Sequence, residues 1–141
     1  MHTLTELIKG EKFIIYALST DASAPYFDFM NYWEQQIPSE HLKMLSLLEL
    51  SSNNGPPRNY QKSSEVYLRN ARPGEKLYEF KTTKLRIFYF YDKGGMIICT
   101  NGIHKKDEKK QIHFIDIAHD LMRQYFTAKA TQKIKIVPLG N

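Results

Sequence analysis

The chain has 141 residues, 42% hydrophobic and 25% charged, which is ordinary globular composition and enough length for one domain with a buried core. A formal charge of +5 and a pI near 9.2 point toward a polyanionic partner. One cysteine, Cys99, excludes an internal disulfide framework and reads as a small buried hydrophobe. Met1 to Lys12, broken by Glu6, Lys9, Glu11 and Lys12, holds no secretory apolar region. No apolar run nears the roughly 20 residues that span a bilayer, so a cytoplasmic protein without a membrane partner is expected.

Glu11 to Leu18, centred on Phe13-Ile14-Ile15-Tyr16, reads as a first strand. Ser23 then caps a helix with Pro25 in its first turn, and Tyr26, Phe29, Met30, Trp33 and Ile37 recur on one helical face. Pro38-Ser39 starts a second helix, with Leu42, Leu45 and Leu48 inward and Lys43 and Glu49 outward. Ser51 to Pro57 ends it. The two make a helical hairpin beside a sheet. From Arg58 to Gly74 the pattern is weak; Ser63 and Ser64 suggest a helical turn carrying Val66 and Leu68.

Three strand signals follow: Leu77 to Lys81, Lys84 to Tyr91 and, beyond the tight connection Asp92-Lys93-Gly94-Gly95, Met96 to Asn101. The middle run is apolar on both faces except at Arg86, which argues for a central strand with the arginine near its end and in need of a partner or solvent. Lys105 to Lys110 reads as a polar loop. A last helix sets Phe114, Ile117, Ala118, Leu121, Met122 and Tyr125 inward, and Lys133 to Val137 alternates as an added strand or a loose tail. The fold class expected is α+β, one domain over residues 1–141.

Charge is not spread evenly. Lys76 to Lys110 holds nine basic residues against four acidic ones, an excess of five that equals the charge of the whole chain. The five histidines, His2, His41, His104, His113 and His119, show no metal-ligand spacing, so neither a metal nor a cofactor is expected.

Within this basic stretch, Lys76-Leu-Tyr-Glu-Phe-Lys81, Leu85-Arg-Ile-Phe-Tyr-Phe90 and Met96-Ile-Ile-Cys-Thr-Asn-Gly-Ile-His-Lys-Lys106 together resemble the RelE/HigB toxin superfamily of type II toxin–antitoxin systems. The nearest pattern is its HigB-like, phage-derived branch. The resemblance is best over residues 76–126, where Lys105, Lys106, Lys109, Ile115 and Ala118 fall on the branch pattern. Gln111, Phe114 and Lys81 depart from it, standing where the branch often has Pro, Glu and Arg.

The resemblance implies a twisted antiparallel sheet with the helical hairpin on one side, a C-terminal helix and a basic cleft. It also implies an mRNA interferase: an endoribonuclease that cleaves messenger RNA on the ribosome without a metal, by attack of the RNA 2′-hydroxyl to give a cyclic phosphate. Such chemistry needs cations where charge builds on phosphoryl oxygens. Arg86 matches the strand arginine with that role, and Lys105 and Lys106 match the pair after the third strand, one of which would sit by the leaving oxygen. Lys81, Lys84, Lys109 and Lys110 would bind RNA. Glu79, two residues before Lys81 on one strand face, and His104, titrating near neutrality, are the candidate base and acid; a partner for a nearby cation and a solvated loop residue are their structural alternatives. Tyr89 and Tyr91 are candidates to stack on a base or to pack in the core. The implied partners are a helix-turn-helix antitoxin of the HigA type, the ribosome and mRNA. The competing functions are a ParE-like inhibitor of a protein such as DNA gyrase, and a degenerate member that only binds nucleic acid.

Overall fold

The structure, a computed structural model describing residues 1–139, has helices on both faces of one seven-stranded sheet. In chain order the elements are β1 (His2–Lys9), β2 (Ile14–Ser19), α1 (Pro25–Gln36), α2 (Pro38–Asn54), β3 (Ser63–Val66), β4 (Leu77–Lys81), β5 (Leu85–Asp92) and β6 (Met96–His104). A 3₁₀ segment (Lys105–Lys110), α3 (Gln111–Ala130) and β7 (Ile134–Val137) complete it. Strands lie in the order β3-β4-β5-β6-β2-β1-β7.

The architecture is α+β, with the helical hairpin before the meander and a helix after it. The expected antiparallel sheet is instead mixed: β2 runs parallel to β6, and β1 parallel to β7. The meander β3 to β6 is antiparallel because its links are short, whereas β6 meets β2 only after the whole hairpin and meander have intervened. Four local expectations are also corrected. Residues 2–9, given no element, form a strand. The 63–66 segment is an edge strand rather than a helical turn, because pairing to β4 and burial of Val66 outweigh local serine preferences. The cap of α1 is Ala24, with Pro25 in the first turn; Ser23 instead bonds back to Thr20. Leu42 is exposed, since α2 buries Glu40, Met44, Leu47, Leu48, Ser51 and Ser52.

Alternation along β5 divides the core. Leu85, Ile87 and Tyr89 face α1 and α2, where Met30, Met44 and Leu48 meet them. Phe88 and Phe90 face α3, packing with Leu121, Met122 and Tyr125. These side chains are almost wholly buried, contributing about 1.5–3 kcal/mol each. The β5–β6 connection turns through Gly94 and Gly95 at φ 84° and 74°, a backbone region that a Cβ disfavours. Gly102 is needed for space: a Cβ there would lie 2.7 Å from the Arg86 carbonyl and from the Phe29 ring. Close seating of α1 on β6 thereby sets the end of β5 that carries Arg86. Among the described residues, no helix is long and apolar enough to cross a membrane.

Candidate functional site

Antiparallel pairing sets Lys81 directly opposite Arg86 and Glu79 opposite Phe88. Positions two apart share a face, so Glu79, Lys81 and Arg86 all lie on the α3 side of the sheet. Two cations facing each other across strands repel. Glu79 offsets this from the diagonal, its Oε1 lying 3.7 Å from Lys81 Nζ and 3.8 Å from Arg86 Nε. Both are ion-pair distances, too long for hydrogen bonds.

The cations are anchored elsewhere. Lys81 Nζ donates to the Tyr60 carbonyl at 2.8 Å and lies 3.6 Å from the centroid of the Tyr60 ring. Arg86 Nη1 donates to the carbonyls of Thr82 (2.6 Å) and Leu85 (2.9 Å). Glu79 is left buried without a close donor, and burial raises its pKa above the usual carboxylate value although Lys81 and Arg86 pull it down. A carboxylate so placed is a stronger base than one in water.

Glu79 floors a groove of about 390 Å³ between β3 and the first turns of α3, walled by Tyr60, Tyr67, Gln111 and Ile112. A narrower cleft bordered by Arg86, Ile103, His104, Lys105 and Gln111 lies nearby and shares Gln111 with it. Lys105 borders the second cleft, and Lys84 in the β4–β5 turn and Lys106, Lys109 and Lys110 on the 3₁₀ segment that was expected as a loop are exposed. The Lys105 N–H donates to the Lys84 carbonyl at 2.7 Å, tying those two loops together.

His104 borders the narrower cleft beside Arg86 and Lys105, but its ring packs toward the helical hairpin. Its register partner Leu85 faces the helical hairpin, and its ring lies against Trp33, centroids 4.7 Å apart. Nδ1 accepts the Lys106 N–H at 3.0 Å, which leaves the proton of the neutral ring on Nε2. Burial, then the charges of Lys106 and Lys84, lowers its pKa, so the imidazole is neutral at pH 7. Tyr89, one of the two candidates for base stacking, is buried on the hairpin side with its hydroxyl 2.6 Å from Ser63 Oγ; Tyr91 is partly exposed.

The structure adds residues that the sequence did not mark as functional. Tyr60 and Tyr67 lie in the weakly patterned stretch, and only their aromatic character marks them. Gln111 borders both clefts. Glu40 is buried under the β4–β5 turn, where its carboxylate accepts Thr82 Oγ1 at 2.8 Å, the Lys84 N–H at 2.6 Å and Lys43 Nζ at 3.0 Å. Burial raises its pKa, but these bonds outweigh burial and hold it below the usual value. No group of three or more His, Cys, Asp or Glu residues able to hold a metal occurs among the described residues.

A model of the phage-derived Gp49-like protein family (DUF891) matches residues 28–123, about two thirds of the chain. The chain belongs to that family. The Gp49-like region takes in α2, β3 to β6 and most of α3, so it holds Tyr60, Tyr67, Glu79, Lys81, Arg86 and the lysines of the β4–β5 turn and the 3₁₀ segment. Strands β1, β2 and β7 lie outside the Gp49-like match. No curated protein and no solved structure matches the chain.

Proposed function

We propose that this Gp49-like protein is a toxin of the RelE/HigB kind, with a RelE-like fold, that cleaves messenger RNA on the ribosome without a metal. The observation that carries the reading is the convergence of Lys81 and Arg86 on Glu79, which floors an open groove, with Arg86 also bordering a cleft beside Lys105. In this reading the scissile phosphate sits at Arg86. Glu79 takes the proton of the 2′-hydroxyl as O2′ bonds to phosphorus. The P–O5′ bond breaks, and the leaving oxygen takes a proton from the Lys105 or Lys106 ammonium. Arg86 stabilises the charge that builds on the phosphoryl oxygens, an effect worth about 10²–10³ in rate. Lys84, Lys109 and Lys110 hold neighbouring phosphates, while Lys81, expected to do the same, is buried and anchors Tyr60. His104, neutral and packed on Trp33, orients the Lys106 backbone. The protein would work in the cytoplasm and be silenced by a helix-turn-helix antitoxin of the HigA type.

One observation favours a different reading. Arg86 and Lys81 already bond to backbone carbonyls, as they would in a member that binds nucleic acid and cuts nothing. Purified ribosomes programmed with a defined message separate the two. Wild-type protein should cut the message in the presence of EDTA at a concentration that leaves the ribosomes intact, giving 2′,3′-cyclic or 3′-phosphate ends and 5′-hydroxyls. Arg86→Ala should lower the rate about 10²–10³-fold with little change in melting temperature. Binding without cleavage by wild type supports the second reading; growth arrest with messages intact supports a ParE-like inhibitor.

A further inference from the structure

Tyr60 and Tyr67 are 75% and 84% exposed, and both wall the groove floored by Glu79. Aromatic rings left this open beside a groove are suited to stacking on an unpaired base. The backbone at both positions is anchored. Lys81 fixes Tyr60 by its ring and by its carbonyl, while Tyr67 follows Val66, which is buried and paired with Leu77.

The lining also says which part of a nucleotide belongs here. Glu79 and Asp116 bring carboxylates to the groove; Asp116 is paired with Arg69 at 2.8 Å, and Lys81 and Arg86 lie beside Glu79 at its end. The groove is lined by aromatic rings and carboxylates and by no lysine, which suits a base better than a phosphate. Carboxylate oxygens accept hydrogen bonds, so they favour a base with an amino or imino donor edge: the N4 amine of cytosine, the N6 amine of adenine or the N1 and N2 hydrogens of guanine. Uracil offers one imino donor between two carbonyls and suits this lining least.

We propose that the groove between β3 and the first turns of α3 is a nucleobase subsite, with Tyr60 and Tyr67 as stacking walls and its carboxylates selecting an amine-bearing base over uracil. This rests on the RNA-cleaving reading above and deepens it by naming what the site reads. The nucleotide whose phosphate meets Arg86 places its base in the groove.

Mapping cut sites on ribosome-bound messages tests it, using wild type, Tyr67→Ala and Tyr67→Phe after checking that all three melt alike. Wild type should cut beside cytosine, adenine or guanine in preference to uracil. Tyr67→Ala should lower kcat/KM about 5- to 150-fold and flatten that preference, and Tyr67→Phe should keep both. Wild-type cutting chiefly at uracil, or Tyr67→Ala cutting the same sites at the same rate, overturns the subsite and leaves the nuclease reading standing. A wild type that cuts nothing overturns both.

Discussion

Two buried glutamates lie near the β4–β5 hairpin, and their surroundings differ in kind. Glu40, under the turn, accepts a hydroxyl, a backbone N–H and an ammonium, all at 2.6–3.0 Å. Glu79, on the α3 face, has two cations at 3.7 and 3.8 Å. Burial works against ionisation at both, but only Glu40 receives enough hydrogen bonds to overcome it. A carboxylate saturated by the protein holds the fold. One left short of donors has free acceptor capacity beside an open groove, and a substrate hydroxyl can use it.

The largest effect should come from Glu79→Gln. The amide keeps the shape but cannot take a proton, so cleavage of ribosome-bound message should fall about 10²–10⁴-fold while the protein stays folded. If activity instead tracks the melting temperature, Glu79 is structural like Glu40 and the contrast fails.

Glu40→Ala should do the reverse. Thr82 Oγ1 and the Lys84 N–H lose their acceptor, and each buried donor so stranded costs about 1–3 kcal/mol. Denaturant unfolding should show a loss of about 3 kcal/mol, with less than a tenfold fall in the activity of the folded fraction. A variant as stable as wild type would show that the turn holds without the carboxylate.

The smallest effect is a tilt in stability against pH. The pKa of Glu40 is depressed on folding, so its contribution is present above the unfolded value, about 4.3, and is lost as pH falls below it. The pKa of Glu79 is raised, so its contribution is present below the unfolded value and is lost as pH rises through the folded one. Between pH 6 and 3, stability should therefore fall less steeply in Glu40→Gln than in wild type, and more steeply in Glu79→Gln. Parallel curves for the three proteins would remove the distinction.

How much of this was readable in the chain depended on how local the cause was. The meander from Leu77 to His104 shows in alternation and in the Asp92 to Gly95 connection because neighbouring residues make it. Arg86 stands out as the lone charge in an apolar run. The buried face of α2 was harder: a three-residue leucine spacing suggests Leu42, whereas the true stripe runs through Met44, Leu47, Leu48 and Ser51. Continued one turn back it meets Glu40, the acid that a leucine count hides. Strand β3 and the mixed pairing of the sheet depend on distant partners, which no local window contains. For the same reason the 3.6 Å approach of Lys81 to Tyr60 has no signature in the chain.

The parallel pairing of β1 with β7 has a consequence for synthesis. His2 pairs with Ile134 and Thr5 with Val137, so the first strand made waits for nearly the last before its outer edge is covered. Until then a row of unpaired amides and carbonyls is open to any other extended chain. Contacts this distant in sequence also slow folding, since the loop must close before they form. The nascent protein thus passes through a long interval in which its β1 edge is open to aggregation, and a chain ending after α3 would remain in that condition.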